Sequence, residues 1–123
     1  FLYGDNFNTP DGTCVRDFVY IDDVSRMVSK SLDYLAGDNH SQVFNCGSGQ
    51  ASSMKEIVSA MKTVSKVDFQ VGILQPRANE YPSLIADISR AEKFLDWSPE
   101  KHSLESLCRR SLELETGQLN IGT

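Results

Sequence analysis

The chain has 123 residues, 40% hydrophobic and 24% charged, with a formal net charge of −5 and a pI near 4.9. That is one domain's length, with enough apolar content for a core, and its acidic balance excludes a nucleic-acid polymer or an anionic membrane as partner. No run approaches the roughly 18 apolar residues of a bilayer span, and three widely spaced cysteines, Cys14, Cys46 and Cys108, read as reduced thiols in a cytoplasmic protein.

The chain opens on Phe1-Leu2-Tyr3, an apolar strand-like triplet with no Met and no signal-peptide pattern before it. It reads as the cut edge of something longer. In Thr9-Pro10-Asp11-Gly12, Pro fixes φ and Gly relieves the exit, which predicts a β-turn. Residues 15–21 are β-branched and aromatic enough for a strand. Asp22 is the expected N-cap of a helix to Ala36, with Val24, Met27, Val28, Leu32 and Leu35 on one face and Gly37 as its left-handed C′ residue. Residues 43–46 read as a short buried strand closed by Gly47-Ser48-Gly49. Ser53 and Glu56 form a capping box for a helix whose core face is Ile57, Val58, Met61 and Val64. Residues 67–73 alternate with period 2, as a half-buried strand does.

An irregular stretch comes next, Gln75 to Ile85, holding two prolines. Asp87 is the expected cap of a short helix to Leu95, ended by Trp97-Ser98-Pro99. Ser103 caps a last helix with Leu104, Leu107, Cys108, Ser111 and Leu112 on one face. Strands alternating with helices predict an α/β fold: a small mixed or parallel sheet with three to four helices. The sheet is thin for that class.

Most chemical constellations are weak. Gly47-x-Gly49-x-x-Ser52, with Asp68 further on, loosely mimics a dinucleotide fingerprint. Ser52 stands where a third Gly is needed for close packing, and Asp68 opens a strand instead of closing one. A plain strand-to-helix turn fits better. His40 and His102 sit in polar, turn-like surroundings and read as solvated. Asp22-Asp23 at a helix start is what the macrodipole favours, ahead of a metal site. No catalytic, cofactor-binding or metal-binding residue emerges. Two arginines stand apart. Arg16 lies in an apolar strand, where a guanidinium is costly unless paired, with Asp17 or Asp87, or held for an anion. Arg77 follows Pro76 and precedes Glu80, and is either a solvated loop charge or an anion ligand. On residue type alone both alternatives stay open.

Five ordered blocks carry a family resemblance. They are Phe1-Leu2-Tyr3-Gly4-Asp5; Thr9-Pro10-Asp11-Gly12-Thr13-Cys14-Val15-Arg16-Asp17-Phe18-Val19-Tyr20-Ile21-Asp22-Asp23-Val24; Phe44-Asn45-Cys46-Gly47-Ser48-Gly49; Pro76-Arg77-Ala78-Asn79-Glu80; and Ala86-Asp87-Ile88-Ser89-Arg90-Ala91-Glu92 with Leu95-Asp96-Trp97-Ser98-Pro99. Together they resemble the carboxyl-terminal part of the extended short-chain dehydrogenase/reductase family of nucleotide-sugar epimerases and dehydratases. The Thr-Pro-Asp-Gly-Thr insertion looks epimerase-like, of the UDP-hexose 4-epimerase type.

The resemblance implies that residues 1–123 form a nucleotide-sugar-binding, carboxyl-terminal domain fragment of a Rossmann-type enzyme, without the Rossmann half that holds NAD. It implies that Arg16 and Arg77 clamp the pyrophosphate of a UDP-sugar, that Glu80 accepts from the ribose hydroxyls, and that the backbone of Phe1 and Tyr3 meets the uracil edge. The family's proton-transfer Tyr-x-x-x-Lys pair does not occur here, so the chain alone is expected to be inactive and to bind no cofactor. Asn79 stands where the family usually has Gly; Asn tolerates left-handed backbone, so the turn is expected to persist. The 22–36 helix and the 43–46 strand would lean on the missing half. Their exposed apolar surface predicts a homodimer or swapped oligomer. Two other readings remain beside this one: a free-standing, non-catalytic nucleotide-sugar binder or purely structural remnant, and the same portion of a dTDP-sugar dehydratase.

Overall fold

Helices carry most of the order in this chain, and no strand among the described residues is longer than three residues. The computed structural model describes residues 1–117. It builds a mixed α/β fold with four helices, small sheets and two compact units.

The first, an edge-strand unit, comprises Phe1–Cys14, Ser53–Pro82 and the chain from His102. Strand β1 (Leu2–Tyr3) and β4 (Ile73–Leu74) pair in parallel, Leu2 opposite Ile73 and Tyr3 opposite Leu74. The predicted 67–73 strand is thereby cut to its end. Alternation supplies a face but no partner, and β1 offers only two residues of ladder. Helix α2 (Met54–Ser65) packs against α4 (Leu104–Thr116), with Ala60 and Cys108 buried between them. The Ser53–Glu56 capping box forms as expected: Ser53 Oγ accepts from Glu56 N at 3.1 Å, and Glu56 Oε2 from Ser53 N at 2.7 Å. Ser103 likewise caps α4, accepting from Ser106 N at 3.1 Å.

The predicted Thr9–Gly12 turn closes with Gly12 N donating to Thr9 O at 3.3 Å. Gly12 has φ +81, and a Cβ there would lie 2.1 Å from Asp5 O, so no other residue fits. Asp11 ties this turn to the start of α2. Its carboxylate accepts from Thr13 N (2.9 Å), Thr13 Oγ1 (2.6 Å) and Ser53 Oγ, while its carbonyl accepts from Lys55 Nζ at 2.8 Å. Burial pushes the Asp11 carboxyl up, but those hydrogen bonds and the Lys55 charge outweigh it and hold the group below its ordinary value.

The second, a tryptophan unit, comprises Val15–Ser52 and Ser83–Lys101. Strand β2 (Val15–Asp17) is central in a three-stranded sheet, between β3 (Ala51–Ser53) and β5 (Ser83–Leu84). It pairs in parallel with β5, Arg16 opposite Leu84. The expected strand over 15–21 ends early, at Asp17, because helix α1 (Ile21–Ala36) takes Tyr20 as its N-cap residue. Asp22 is therefore no cap; it and Asp23 sit inside the first turn, where the macrodipole favours carboxylates. At the other end Gly37 has φ −85, and Asp38 takes the left-handed conformation with φ 58. Helix α3 (Ser89–Leu95) takes Ile88 as its N-cap residue, one later than the expected Asp87, whose Oδ1 still accepts from Ser89 N at 3.0 Å.

The core here is Met27, Ala91, Leu95 and Trp97, with Tyr34, Phe44, Cys46 and Ile88 packed against it. Trp97 is 1% exposed, and its Nε1 donates to Asp23 O at 3.2 Å, so the one polar atom of the indole is satisfied. Residues 43–46 are not a strand. Side-chain contacts hold them instead: Phe44 packs edge-on to Tyr34 at 5.7 Å and 88°, and Asn45 Nδ2 donates to Asp87 O at 3.2 Å.

Candidate functional site

In the edge-strand unit the backbone alternation of β1 decides what is available. Leu2 N donates to Gly72 O at 2.8 Å and Gly4 N to Leu74 O at 2.9 Å. Residues 2 and 4 thus spend their amides on β4, and by strand periodicity the N–H and C=O groups of Phe1 and Tyr3 point to the opposite edge. Phe1 is 83% exposed and Tyr3 40%. Gly4, with φ +84, lets the segment after β4 pass close: a Cβ there would stand 3.0 Å from Pro76 Cγ and 2.5 Å from the Phe7 ring.

Arg77 comes directly after that close approach. Its guanidinium carbon lies 4.0 Å from the centroid of the Tyr3 ring. The backbone then turns, with Glu80 N donating to Arg77 O at 3.2 Å and Asn79 left-handed at φ 61. Asn79 thus keeps the turn where the family usually has Gly. Phe1, Tyr3, Arg77 and Glu80, four of the five predicted site residues, belong to this one unit.

The fifth, Arg16, is in the tryptophan unit on β2, where its Nη1 donates to Val15 O at 2.7 Å. The two carboxylates considered as its partners go elsewhere. Asp87 holds Ser89 N. Asp17 accepts from Ser48 N (2.6 Å), Ser48 Oγ (2.5 Å), Gly49 N (3.0 Å) and Ala86 N (3.2 Å). Gly47 makes this possible, since a Cβ there would fall 2.5 Å from Asp17 Oδ2 and from Ala86 Cβ. Sequence reasoning missed this anchoring role. The available clue was an acidic residue in a half-buried strand together with a Gly-x-Gly loop whose amides need an acceptor.

The same contacts test the loop against NAD. A dinucleotide cradle needs backbone N–H groups turned to a pyrophosphate. Here the Ser48 and Gly49 amides are spent on an internal carboxylate, and the loop leads into β3 and not straight into a helix. These residues do not fit the dinucleotide.

Two of the three thiols are shifted away from reactivity. Burial, with the Asp23 and Asp17 carboxylates, pushes the Cys46 thiol up; burial, with Glu105, does the same for Cys108. Both are poor nucleophiles, and all three cysteines are unbridged. Asp23 is buried, accepting from Arg26 Nη2 and from Glu100 N at 3.2 Å, a structural role. His40 is exposed, whereas His102 is half-buried and so departs from the solvated reading. Among the described residues no group of His, Cys, Asp and Glu side chains could hold a metal ion, and no helix is long and apolar enough to cross a membrane.

On this fold and these motifs the chain belongs to the extended short-chain dehydrogenase/reductase family, in its nucleotide-sugar epimerase branch, where it matches the carboxyl-terminal part. A UDP-glucose 4-epimerase of Azospirillum brasilense is 31% identical over 123 residues, an alignment covering 95% of this chain and 35% of that protein. The UDP-Glc/GlcNAc 4-epimerase structure from Campylobacter jejuni superposes with TM-score 0.84 at 42% identity, over 95% of this chain and 35% of that one. A UDP-glucose 4-epimerase from Stenotrophomonas maltophila with bound NAD and formylated UDP-arabinopyranose gives TM-score 0.87 at 29% identity, over 95% and 34%. The chain thus spans about a third of the length of the relatives it matches. No family model matches it.

Proposed function

We propose that residues 1–123 are the nucleotide-sugar-gripping part of an NAD-dependent UDP-hexose 4-epimerase. Arg77 and Arg16 hold the pyrophosphate, Glu80 accepts from the ribose hydroxyls, and the outward backbone groups of Phe1 and Tyr3 meet the uracil edge. The observation that carries the reading is Arg77 beside the open edge of β1, a cation next to a short donor–acceptor strip, in a chain that matches UDP-sugar epimerases over nearly all its length. A charge-assisted, bidentate guanidinium contact is the ordinary protein answer to a diphosphate. NAD and the proton-transfer residues belong to the rest of the parent enzyme, so the chain by itself is inactive; the three unbridged cysteines support a cytoplasmic location.

The apolar face of α1 supports the remaining partner assignment. Val28 is 56% exposed and Leu32 64%, and a groove of about 280 Å³ runs past Val24, Met27, Val28 and Phe44 to Cys46. In the parent enzyme the Rossmann half covers that face. In the isolated chain a second copy does, giving a homodimer or swapped oligomer.

Calorimetry with UDP and UDP-glucose tests the site. Exposed ion pairs contribute little, so binding by the isolated chain is expected to be weak, in the millimolar range. Arg16→Ala and Arg77→Ala should each weaken it by roughly tenfold. Binding that neither substitution changes rejects the site. Sedimentation of a well-folded monomer at high protein concentration rejects the self-association.

A further inference from the structure

Arg77 has an aromatic contact in a place where a bare loop cation would have none. Pro76 is carried close to β1 by the missing Cβ of Gly4, and the next residue sets its guanidinium 4.0 Å from the Tyr3 ring centroid. The turn through left-handed Asn79 fixes the backbone on the far side. An aromatic face attracts a guanidinium through the ring quadrupole without neutralising its charge. The guanidinium carries five N–H donors in one plane, more than a single ring can occupy, so donors stay available for an anion. A carboxylate partner would do the opposite, using up donors and neutralising the charge. Arg77 makes no ion pair among the described residues.

We infer that the Tyr3 side chain is a positioning residue. It holds Arg77 through the ring contact so that free N–H donors meet the diphosphate without the side chain first having to be ordered. This rests on the proposed site and adds a side-chain role to Tyr3, one of the two residues assigned there through their backbone alone.

The test uses inorganic pyrophosphate, which has no base and so ignores any contact between Tyr3 and a uracil. Binding is read from the Arg77 Nε–H resonance in the wild-type chain and in Tyr3→Phe, Tyr3→Leu and Arg77→Ala, with binding to Arg77→Ala read from backbone amides. Thermal melts show that each variant is folded. Stacking is read separately from the ring-current shift of the Arg77 δ protons. Tyr3→Phe should keep both the shift and the affinity; Tyr3→Leu should lose the shift and weaken binding roughly three- to fivefold at unchanged charge. A folded Tyr3→Leu that binds pyrophosphate like the wild type overturns this inference, and leaves the site standing if Arg77→Ala still weakens binding. An Arg77→Ala variant that binds normally, or a wild-type chain that does not respond, overturns both.

Discussion

The tryptophan unit closes Met27, Ala91 and Leu95 around one indole, whereas the edge-strand unit buries mainly small side chains, Cys14, Ala60 and Cys108, besides Leu2. In the latter much of the cohesion passes through polar contacts instead. Thr13 is fully buried and reached by Asp11, and Asp11 in turn gathers Ser53 and Lys55. Apolar burial is large per residue and indifferent to pH; a polar loop network is modest per bond and titrates. The contrast separates where the chain is strong from where it is adjustable, and the Arg77 turn and the open β1 edge both fall in the adjustable unit.

Substitutions sharpen or break that contrast. Trp97→Ala removes the centre of the aromatic core and the bond to Asp23 O, and should cost about 3–5 kcal/mol in denaturant titration. A loss under about 1 kcal/mol would mean that the indole is not what holds that unit. Asp17→Asn keeps one acceptor and turns an amide NH₂ either to the Ser48 amide or to the Gly49 and Ala86 amides, and should cost about 2–3 kcal/mol by the same measurement. In the edge-strand unit Ser53→Ala deletes both the α2 cap and the donor to Asp11, for about 1–2 kcal/mol. If it cost more than Trp97→Ala, the ranking of the two units would be reversed.

The smallest effect is the most diagnostic. The Asp11 carboxyl is held below its ordinary value of 3.8, so its contribution is fully present above that pH and is lost as pH falls through the lower, folded value. Thermal melts from pH 5 downwards should show that acid limb in the wild-type chain and a shallower one in Asp11→Asn. Identical limbs would remove Asp11 from the network.

What could be read in the sequence was local. The Ser53–Glu56 box, the Ser103 cap, the Thr9–Gly12 turn and the apolar face of α1 depend on residues a few positions apart, and each forms. Strands depend on partners elsewhere. Residues 67–73 alternate correctly, yet only Ile73 and Leu74 find a ladder, and Val43 to Cys46 find none. The helices beginning at Ile21 and Ser89 depart from expectation for a related reason: Asp22 and Asp87 are good caps by type, but the chain direction entering each helix chose another residue. For the candidate site, residue type pointed to Arg16 and Arg77. What it lacked was the contact of Arg77 with the Tyr3 ring and the diversion of Asp17 to the glycine loop, both set by segments far apart in sequence.

The left-handed turn at Gly4 bears on aggregation as well. A sheet edge is a template for any extended chain, and long flat edges invite fibrils. Gly4, at φ 84, ends the β1 ladder after Tyr3, so an incoming polypeptide could not carry its pairing past that residue on the carboxyl-terminal side. A backbone conformation that glycine adopts most easily thus acts as a built-in stop against edge-to-edge growth.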